Sequence, residues 1–578
     1  MLTIDSSNIR HLTAAYKAKD DSAPSSLLLL EKIRRGIIGA EQSIMTPFGE
    51  RKLTYADYTA SGRSLDFIEQ AVQKTLPFYA NTHTEANATG MQTTAFREQA
   101  REEIRRAVNA CPEDLIIFCG SGATSAINTL ISQLGLRQLD ATEKAQTRII
   151  IGPYEHHSNE LPWRELGIPV IRIKEGKQGG VCLQDLENQL QQHQDKRLIG
   201  SFSAASNVTG IVSDQNAITE LLHTYNALSF WDFAAAAPYV KIDMNPEQST
   251  KHRKDALFFS PHKFIGGPGT PGILIVKKAI INNAQPSHIG GGTVSFVTPK
   301  DHSFLPIGER REEGGTPAIL ESIRAGLVFK LKSLVGDEVI QEQEHRLVEL
   351  IDQHWQNHHS IERLGHPNAK RLSITAFRIK TPLGYLHHGF VTALLNDLFG
   401  IQVRGGCSCA GPYGHALLNI DEHKSEQIQQ ALQAGEKLLK PGWIRFNLNY
   451  FISQQEADFI LRAIDFISQD GLTFLPFYAY DQQKDLWRFQ GQKEHAMSLE
   501  DLLKWDTLES TAKTEAITQP SIHDCYEAYL KQADNLAKVL QNPQQTDHVW
   551  QAQPFNQAFD SLRDFVLAED LKAGAGSA

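Results

Sequence analysis

The sequence has no apolar run of membrane-spanning length. Its N-terminal apolar run, Leu27-Leu28-Leu29-Leu30, is far short of the roughly 20 residues of a span and too short for a secretion-signal core. A cytoplasmic protein without membrane helices is the expectation. Cysteine is also scarce. Six residues (Cys111, Cys119, Cys182, Cys407, Cys409 and Cys525) scattered over 578 positions do not make a disulfide scaffold, which suits a reducing compartment. Positive charge is in deficit. Against 67 Asp and Glu stand 57 Lys and Arg, a net charge of −10, so neither nucleic acid nor an acidic membrane is the expected partner. What remains is 41% hydrophobic residues in a chain long enough for two or three domains. That is the profile of an enzyme-sized globular protein.

Short apolar runs alternate with helical patterns through the middle of the chain. Leu115–Phe118 leads to Gly120-Ser121-Gly122-Ala123-Thr124 and a helix from Ser125 to Leu134. Arg148–Ile151, Arg197–Phe202, Leu228–Trp231, Ala256–Ser260 and Gly272–Val276 repeat the theme. Strand–helix repeats of this kind predict an α/β fold around a mostly parallel sheet. From about Ile307 the pattern changes. A helical stretch from Ala318 to about His359 leads to strand candidates at Arg371–Arg378 and Gly442–Leu448, with helices at Gly389–Leu398 and Ser425–Leu439. After Gly471 the chain turns polar and Gln-rich, with amphipathic helical patterns at Leu499–Trp505 and Ile522–Gln541 and no chemical motif. The expected organisation is an N-terminal helical segment (1–45), a large α/β domain (46–317), a smaller α+β domain (318–470) and a helical C-terminal extension (471–578). The extension is expected to cover the core or a subunit interface, and Ala573–Ala578 to lack order.

The chemistry centres on Lys263, in Phe258-Phe259-Ser260-Pro261-His262-Lys263-Phe264 ahead of Gly266-Gly267-Pro268-Gly269. A lysine at a strand exit beside Ser and His suits a Schiff base with an aldehyde cofactor. Asp232, closing the apolar stretch Leu228–Trp231, suits a salt bridge to a pyridinium nitrogen. Together they point to pyridoxal 5'-phosphate. Gly120–Thr124 supplies the small residues and N–H donors that a phosphate needs at a helix N-terminus. Glu155-His156-His157-Ser158-Asn159 offers an imidazole to stack on a ring, although a His pair in a loop is more often merely solvated. Asn207, in Ser206-Asn207-Val208-Thr209-Gly210, reads equally as a turn residue.

The order of these motifs, completed by Glu313-Gly314-Gly315-Thr316-Pro317, resembles the class V aminotransferase-fold enzymes. The resemblance covers roughly residues 30 to 470 and is strongest to the cysteine desulfurase and selenocysteine lyase group of the bacterial Suf type. It implies the fold type I architecture of pyridoxal-phosphate enzymes, with a seven-stranded sheet. It also implies that His156 stacks on the cofactor, Asn207 lies near its hydroxyl and Asp232 binds the ring nitrogen. Gly122, Ala123, Thr124, Ser260 and His262 would hold the phosphate, and Lys263 would carry the Schiff base. Gly315 and Thr316 would reach the phosphate of a neighbouring subunit, which implies a homodimer with shared sites.

A second segment, Val403-Arg404-Gly405-Gly406-Cys407-Ser408-Cys409-Ala410-Gly411-Pro412, resembles the group's Arg-x-Gly-x-x-Cys-Ala-x-Pro loop. Counting from Arg404 puts the sulfur-attacking cysteine at Cys409. Trp443–Tyr450 resembles the strand whose arginine grips the substrate carboxylate, here Arg445, with Arg404 and Asn207 also at the substrate. A guanidinium offers a two-pronged hydrogen bond that lysine cannot. Cys407 stands where these enzymes often have histidine, as a bystander, a persulfide relay or a redox lock with Cys409. A Cys-x-Cys metal site lacks further ligands in sequence. Ala235 stands where the group often has a glutamine bonding the cofactor's phenolic oxygen. The implied activity is desulfuration of L-cysteine or a related amino acid through an enzyme persulfide, handed on to a sulfur-acceptor protein. The alternatives are a C–S lyase, an epimerase or another enzyme of the fold in which Cys409 is not the nucleophile, and a non-catalytic scaffold.

Overall fold

The computed structural model describes residues 26–82, 86–491, 498–500, 522–541 and 555–575. Seven strands assemble into one central sheet: β1 (Asp114–Cys119), β2 (Thr147–Ile151), β3 (Val170–Arg172), β4 (Arg197–Ser203), β5 (Leu228–Asp232), β6 (Ala256–Phe259) and β7 (Gly272–Lys277). Their order is β1-β7-β6-β5-β4-β2-β3. Neighbours from β6 to β3 are parallel, while β7 is antiparallel to both β1 and β6. Strands β1, β2 and β4 to β7 lie where the apolar runs predict them. Such continuous burial is what a sheet covered on both faces demands.

Helix α1 (Ser26–Gly36) buries Leu29, Leu30 and Ile33. Helix α2 (Ala88–Ala107) packs along α4 (Ile319–Val335), and α3 (Gly122–Gln133) follows β1 directly. The single helix expected over 318–359 is two. It breaks at Gly336, whose φ of +90° lies in the region glycine alone visits freely, and resumes as α5 (Asp337–Trp355). The helical pattern at Ser425–Leu439 is likewise divided, into Glu422–Gln433 and the short turn Lys437–Leu439.

The smaller region is an antiparallel sheet of order β8-β9-β11-β10, made of Ile361–Arg363, Ile374–Thr381, Trp443–Asn447 and Arg404–Gly406 respectively. The short strand Gly384–Tyr385 adds beside β9. Helices α6 (His388–Phe399) and α7 (Gln454–Phe474) cover it. The two regions are tied by a parallel pairing of Thr54–Tyr55 with Ile401–Gln402.

The C-terminal region contains a hairpin that its polar composition does not foreshadow: β12 (Tyr478–Asp481) and β13 (Leu486–Phe489). Helix α8 (Ile522–Leu540) then lies on α7, where the Tyr526 and Phe459 rings stack 4.0 Å apart. Tyr526, Leu530, Ala533 and Ala537 thereby join the core of the smaller region. The helix Ala568–Ala575 extends order beyond Ala573. Residues 1–25 of the N-terminal segment, the helical pattern past residue 500 and residues 576–578 fall outside the described residues.

Glu344 of α5 is buried and accepts hydrogen bonds from the Ser373 amide (2.9 Å) and hydroxyl (3.2 Å). Burial pushes its carboxyl from 4.5 up to about 7. The folded protein therefore keeps a proton that the unfolded chain releases near 4.5, and this site loses stability as pH rises through that window. Glu344→Gln retains the amide bond, and the Ser373 hydroxyl keeps Leu448 O at 2.5 Å. Between pH 5 and 8 the variant should gain ~1–3 kcal/mol relative to wild type. Urea midpoints at the two pH values check this, and an equal difference at both would refute it.

Candidate active site

The carboxyl ends of the sheet strands converge on one crevice, the place where open α/β sheets bind ligands. Thr124 follows β1, His156 follows β2, Asn207 follows β4, Asp232 ends β5 and Lys263 closes the turn after β6. These line a cavity of about 410 Å³ together with Gly122, Ala123, Ser260 and His262. The smaller region contributes Arg404, Ser408 and Arg445 to the same cavity. Of the residues singled out from sequence, Gly315, Thr316, Cys407 and Cys409 do not line it. Thr316 is exposed and its hydroxyl accepts from Asn81 Nδ2 at 3.3 Å.

The glycine-rich turn is shaped for an anion. Gly122 has φ +55°, and a Cβ there would come within 2.8 Å of Ser260 Oγ. Ser260 Oγ in turn accepts from the Ala123 amide at 2.9 Å, tying the α3 N-terminus to the lysine turn. Thr124 and Ser158 hydroxyls meet at 2.6 Å.

The charges here are held away from water. Burial raises the Asp232 carboxyl, whose Oδ1 accepts from Ala234 N at 2.8 Å. Burial lowers the Lys263 amine to about 8, with Asp232 acting in the opposite direction. His156 is pushed down to about 3, first by burial and then by Lys263. Its Nδ1 accepts from Ser158 N at 3.1 Å, so the neutral ring carries its proton on Nε2. Beneath them Glu155, raised by burial to about 7, accepts from Ser203 N (2.9 Å), Ser203 Oγ (2.7 Å) and Asn159 Nδ2 (2.5 Å).

Arg404 and Arg445 face each other across β10 and β11. Two like charges directly opposite repel, and Asp57 offsets this. It accepts from Arg445 Nη2 at 2.7 Å and lies 3.7 Å from Arg404 Nε. Arg445 Nη1 donates to Asn207 O at 3.0 Å. Arg445 Nε, Asn207 Oδ1 and Ser408 Oγ are buried with no hydrogen-bond partner among the described residues. Each such group costs about 1–3 kcal/mol, and all three belong to residues of one cavity.

Residues 404–411 form a wall between this cavity and a larger groove of about 1160 Å³. Arg404 and Ser408 line both spaces, whereas Cys407 and Cys409 line only the groove. Its far side is the C-terminal hairpin, with Tyr480, Asp485, Trp487 and Arg488. The wall is pinned at several points. Asn207 Nδ2 donates to Ser408 O at 2.8 Å, and His157 N to Cys409 O at 2.8 Å. His157 Nε2 accepts from Gly411 N at 2.9 Å, which requires the neutral imidazole that burial favours.

Residues 54–457 match the family model for class V aminotransferases. The chain belongs to the class V aminotransferase family. Class V enzymes use pyridoxal phosphate. Among relatives, a probable cysteine desulfurase of Halalkalibacterium halodurans is 29% identical over 372 residues, covering 62% of this chain and 84% of that protein. A probable cysteine desulfurase of Staphylococcus aureus is 28% identical over 371 residues, covering 63% and 84%. In fold, this class V chain is similar to an apo cysteine desulfurase from Thermococcus onnurineus (TM-score 0.62, 23% identity, 76% of this chain and 98% of that one). It is also similar to a cysteine desulfurase of Escherichia coli (TM-score 0.57, 22% identity, 71% and 94%).

The cavity fits the class V cofactor. A cationic ring nitrogen is the partner that would keep buried Asp232 ionised, and Lys263 is the only lysine among the lining residues. The orphaned Asn207 Oδ1 and the close-approach turn at Gly122 match a polar ring substituent and a phosphate. Ala235 lines the cavity with no hydrogen-bonding side chain, and Asn207 lines it with one. Sequence reasoning missed three residues. Asp57 is 388 positions from Arg445, and no local pattern signals that pairing. Ser408 was hidden between two cysteines. His157 was read only as a member of a His pair.

Proposed function

We propose that this class V enzyme is a pyridoxal-phosphate-dependent cysteine desulfurase. The observation that carries the reading is the meeting of Lys263, Asp232 and His156 with two arginines at a cavity whose outer wall bears Cys409. Bound pyridoxal phosphate supplies an electron sink for bond breaking at the substrate α-carbon. Asp232 would hold its ring nitrogen protonated, and His156 would stack on the ring. Arg445, with Arg404 beside it, takes the α-carboxylate, and the orphaned Arg445 Nε is the donor left for it. Lys263 Nζ, once free, moves the proton at the α-carbon. The Cys409 thiolate attacks the substrate sulfur, so that cysteine and the Cys409 thiol become alanine and a Cys409 persulfide.

Gly315 and Thr316, which do not line their own chain's cavity, are assigned to the phosphate of a second copy in a homodimer. The groove beyond Cys409 is assigned to the sulfur acceptor. A cytoplasmic setting is supported by six cysteines outside any disulfide and by the lack, among the described residues, of a helix able to cross a membrane.

Arg445→Lys should lower kcat/KM for L-cysteine by ~10–100-fold, mainly through KM, as a charged hydrogen bond is lost. Steady-state kinetics check this, and an unchanged KM would move the carboxylate elsewhere. A second reading, β-elimination, is favoured by one observation: Ser408 rather than Cys409 lines the cavity. Product analysis of the purified protein with L-cysteine and a thiol reductant separates the two. Alanine with sulfide supports desulfuration, and pyruvate with ammonia establishes a lyase.

A further inference from the structure

We infer that Cys407 is a second reacting thiol, which resolves the Cys409 persulfide by closing a Cys407–Cys409 disulfide and expelling hydrosulfide. This rests on the desulfurase reading above. It makes the enzyme release sulfide by itself, with a thiol reductant as the second substrate.

Placement is the first argument. Both cysteines line the outer groove and neither lines the cofactor cavity, so a persulfide that swings out from the substrate faces Cys407. Cys409 is exposed and Cys407 half-buried. Among the described residues no group of three or more His, Cys, Asp or Glu side chains is set to hold a metal.

Backbone geometry is the second. Two residues apart in sequence, the Cα atoms of a fully extended pair would stand about 7 Å apart, at the limit for a disulfide. Ser408, the residue between them, instead has φ of +52°, in a turn closed by the Ala410 amide on Cys407 O at 3.2 Å, which folds the chain back and shortens the span. The loop is pinned in this shape by Asn207 on Ser408 O and by His157 on Cys409 O. A tethered thiol competes at an effective concentration that free thiols in solution do not reach.

The step balances. The Cys407 thiolate attacks Cys409 Sγ, and a new S–S bond forms as the bond to the outer sulfur breaks. That sulfur leaves with the electron pair as hydrosulfide, and the proton of the Cys407 thiol goes to solvent. The sulfane sulfur is reduced and Cys407 is oxidised. A dithiol, or two monothiols, entering the groove then reduces the Cys407–Cys409 disulfide. A ring closed over one intervening residue is strained, and strained disulfides are the readily reduced ones.

The test is a single turnover of the full-length, cofactor-loaded protein. One equivalent of L-cysteine per site is added without reductant, free thiols are alkylated, and alanine, sulfide and the mass of the cysteine-loop peptide are measured. Wild type should release sulfide and alanine in a ratio near one and yield a loop peptide about 2 Da lighter than the dithiol. In Cys407→Ser the sulfide-to-alanine ratio should fall at least ~10-fold, with Cys409 about 32 Da heavier. Cofactor absorbance and Tm confirm that the variant is folded, and the wild-type masses decide the matter without it. A wild-type persulfide that stays on Cys409, or extra sulfur found on Cys407, overturns the inference while leaving desulfuration intact. Absence of alanine overturns both.

Discussion

Alanine release from L-cysteine falls by at least ~10³-fold when Lys263 is replaced by alanine. The size of the effect follows from the lack of a substitute. Lys263 is the only lysine among the residues lining the cavity. Arg404 and Arg445 present only N–H donors. His156 and His262 are lowered to about 3 and about 4, so as neutral rings near pH 7 they are weak bases. Burial holds the Lys263 amine near 8 rather than 10.5. A usable fraction is then neutral at pH 7 to 8, and that fraction grows as pH rises through about 8. Single-turnover alanine formation by Lys263→Ala, with and without a small primary amine, is the measurement. Partial rescue by the amine is expected. Residual activity within tenfold of wild type would place proton transfer on another group.

Cys409→Ala should abolish sulfide release, with alanine falling in parallel by ~10²-fold or more, because the proposed acceptor of the substrate sulfur is then gone. The protein should fold and bind cofactor as before. Cys409 is exposed, and its recorded bond from His157 uses the backbone oxygen, which alanine retains. Unchanged Tm and cofactor absorbance thus accompany the lost chemistry. Pyruvate persisting at the wild-type rate would sink the desulfurase reading in favour of elimination.

The large sheet was legible because its strands are buried on both faces and read as unbroken apolar runs. β3, with Val170, Ile171 and Arg172 only partly buried, has no such run and was not anticipated. Lys263 and Asp232 were legible because strand exits in this fold type carry the chemistry, so local context signals a site. The hairpin of Tyr478–Asp481 and Leu486–Phe489 escaped for the opposite reason. Its strands have four residues each, and its turn is the polar Gln482–Asp485, which blends into Gln-rich surroundings. Tertiary pairing alone reveals Asp57. One aspartate near the chain's start says nothing of two arginines about 350 to 390 residues away until Thr54–Tyr55 joins the strand at Ile401. The break at Gly336 was visible as a glycine, but helical patterning on both sides masked it.

Strand β1 sits at the sheet edge and pairs only with β7. During synthesis its pairing partner is therefore missing until roughly 150 more residues have been made, about 8–30 s at ordinary elongation rates. Throughout that interval Leu115–Phe118 has no lateral hydrogen bonds available, while β2 to β6 can already be assembling in order. The glycine turn that follows β1 is in the same position. The anion cradle at Gly122 is completed only when Ser260 and the returning strand at Gly272 arrive, so this half of the active site is a late event in the folding of the nascent chain.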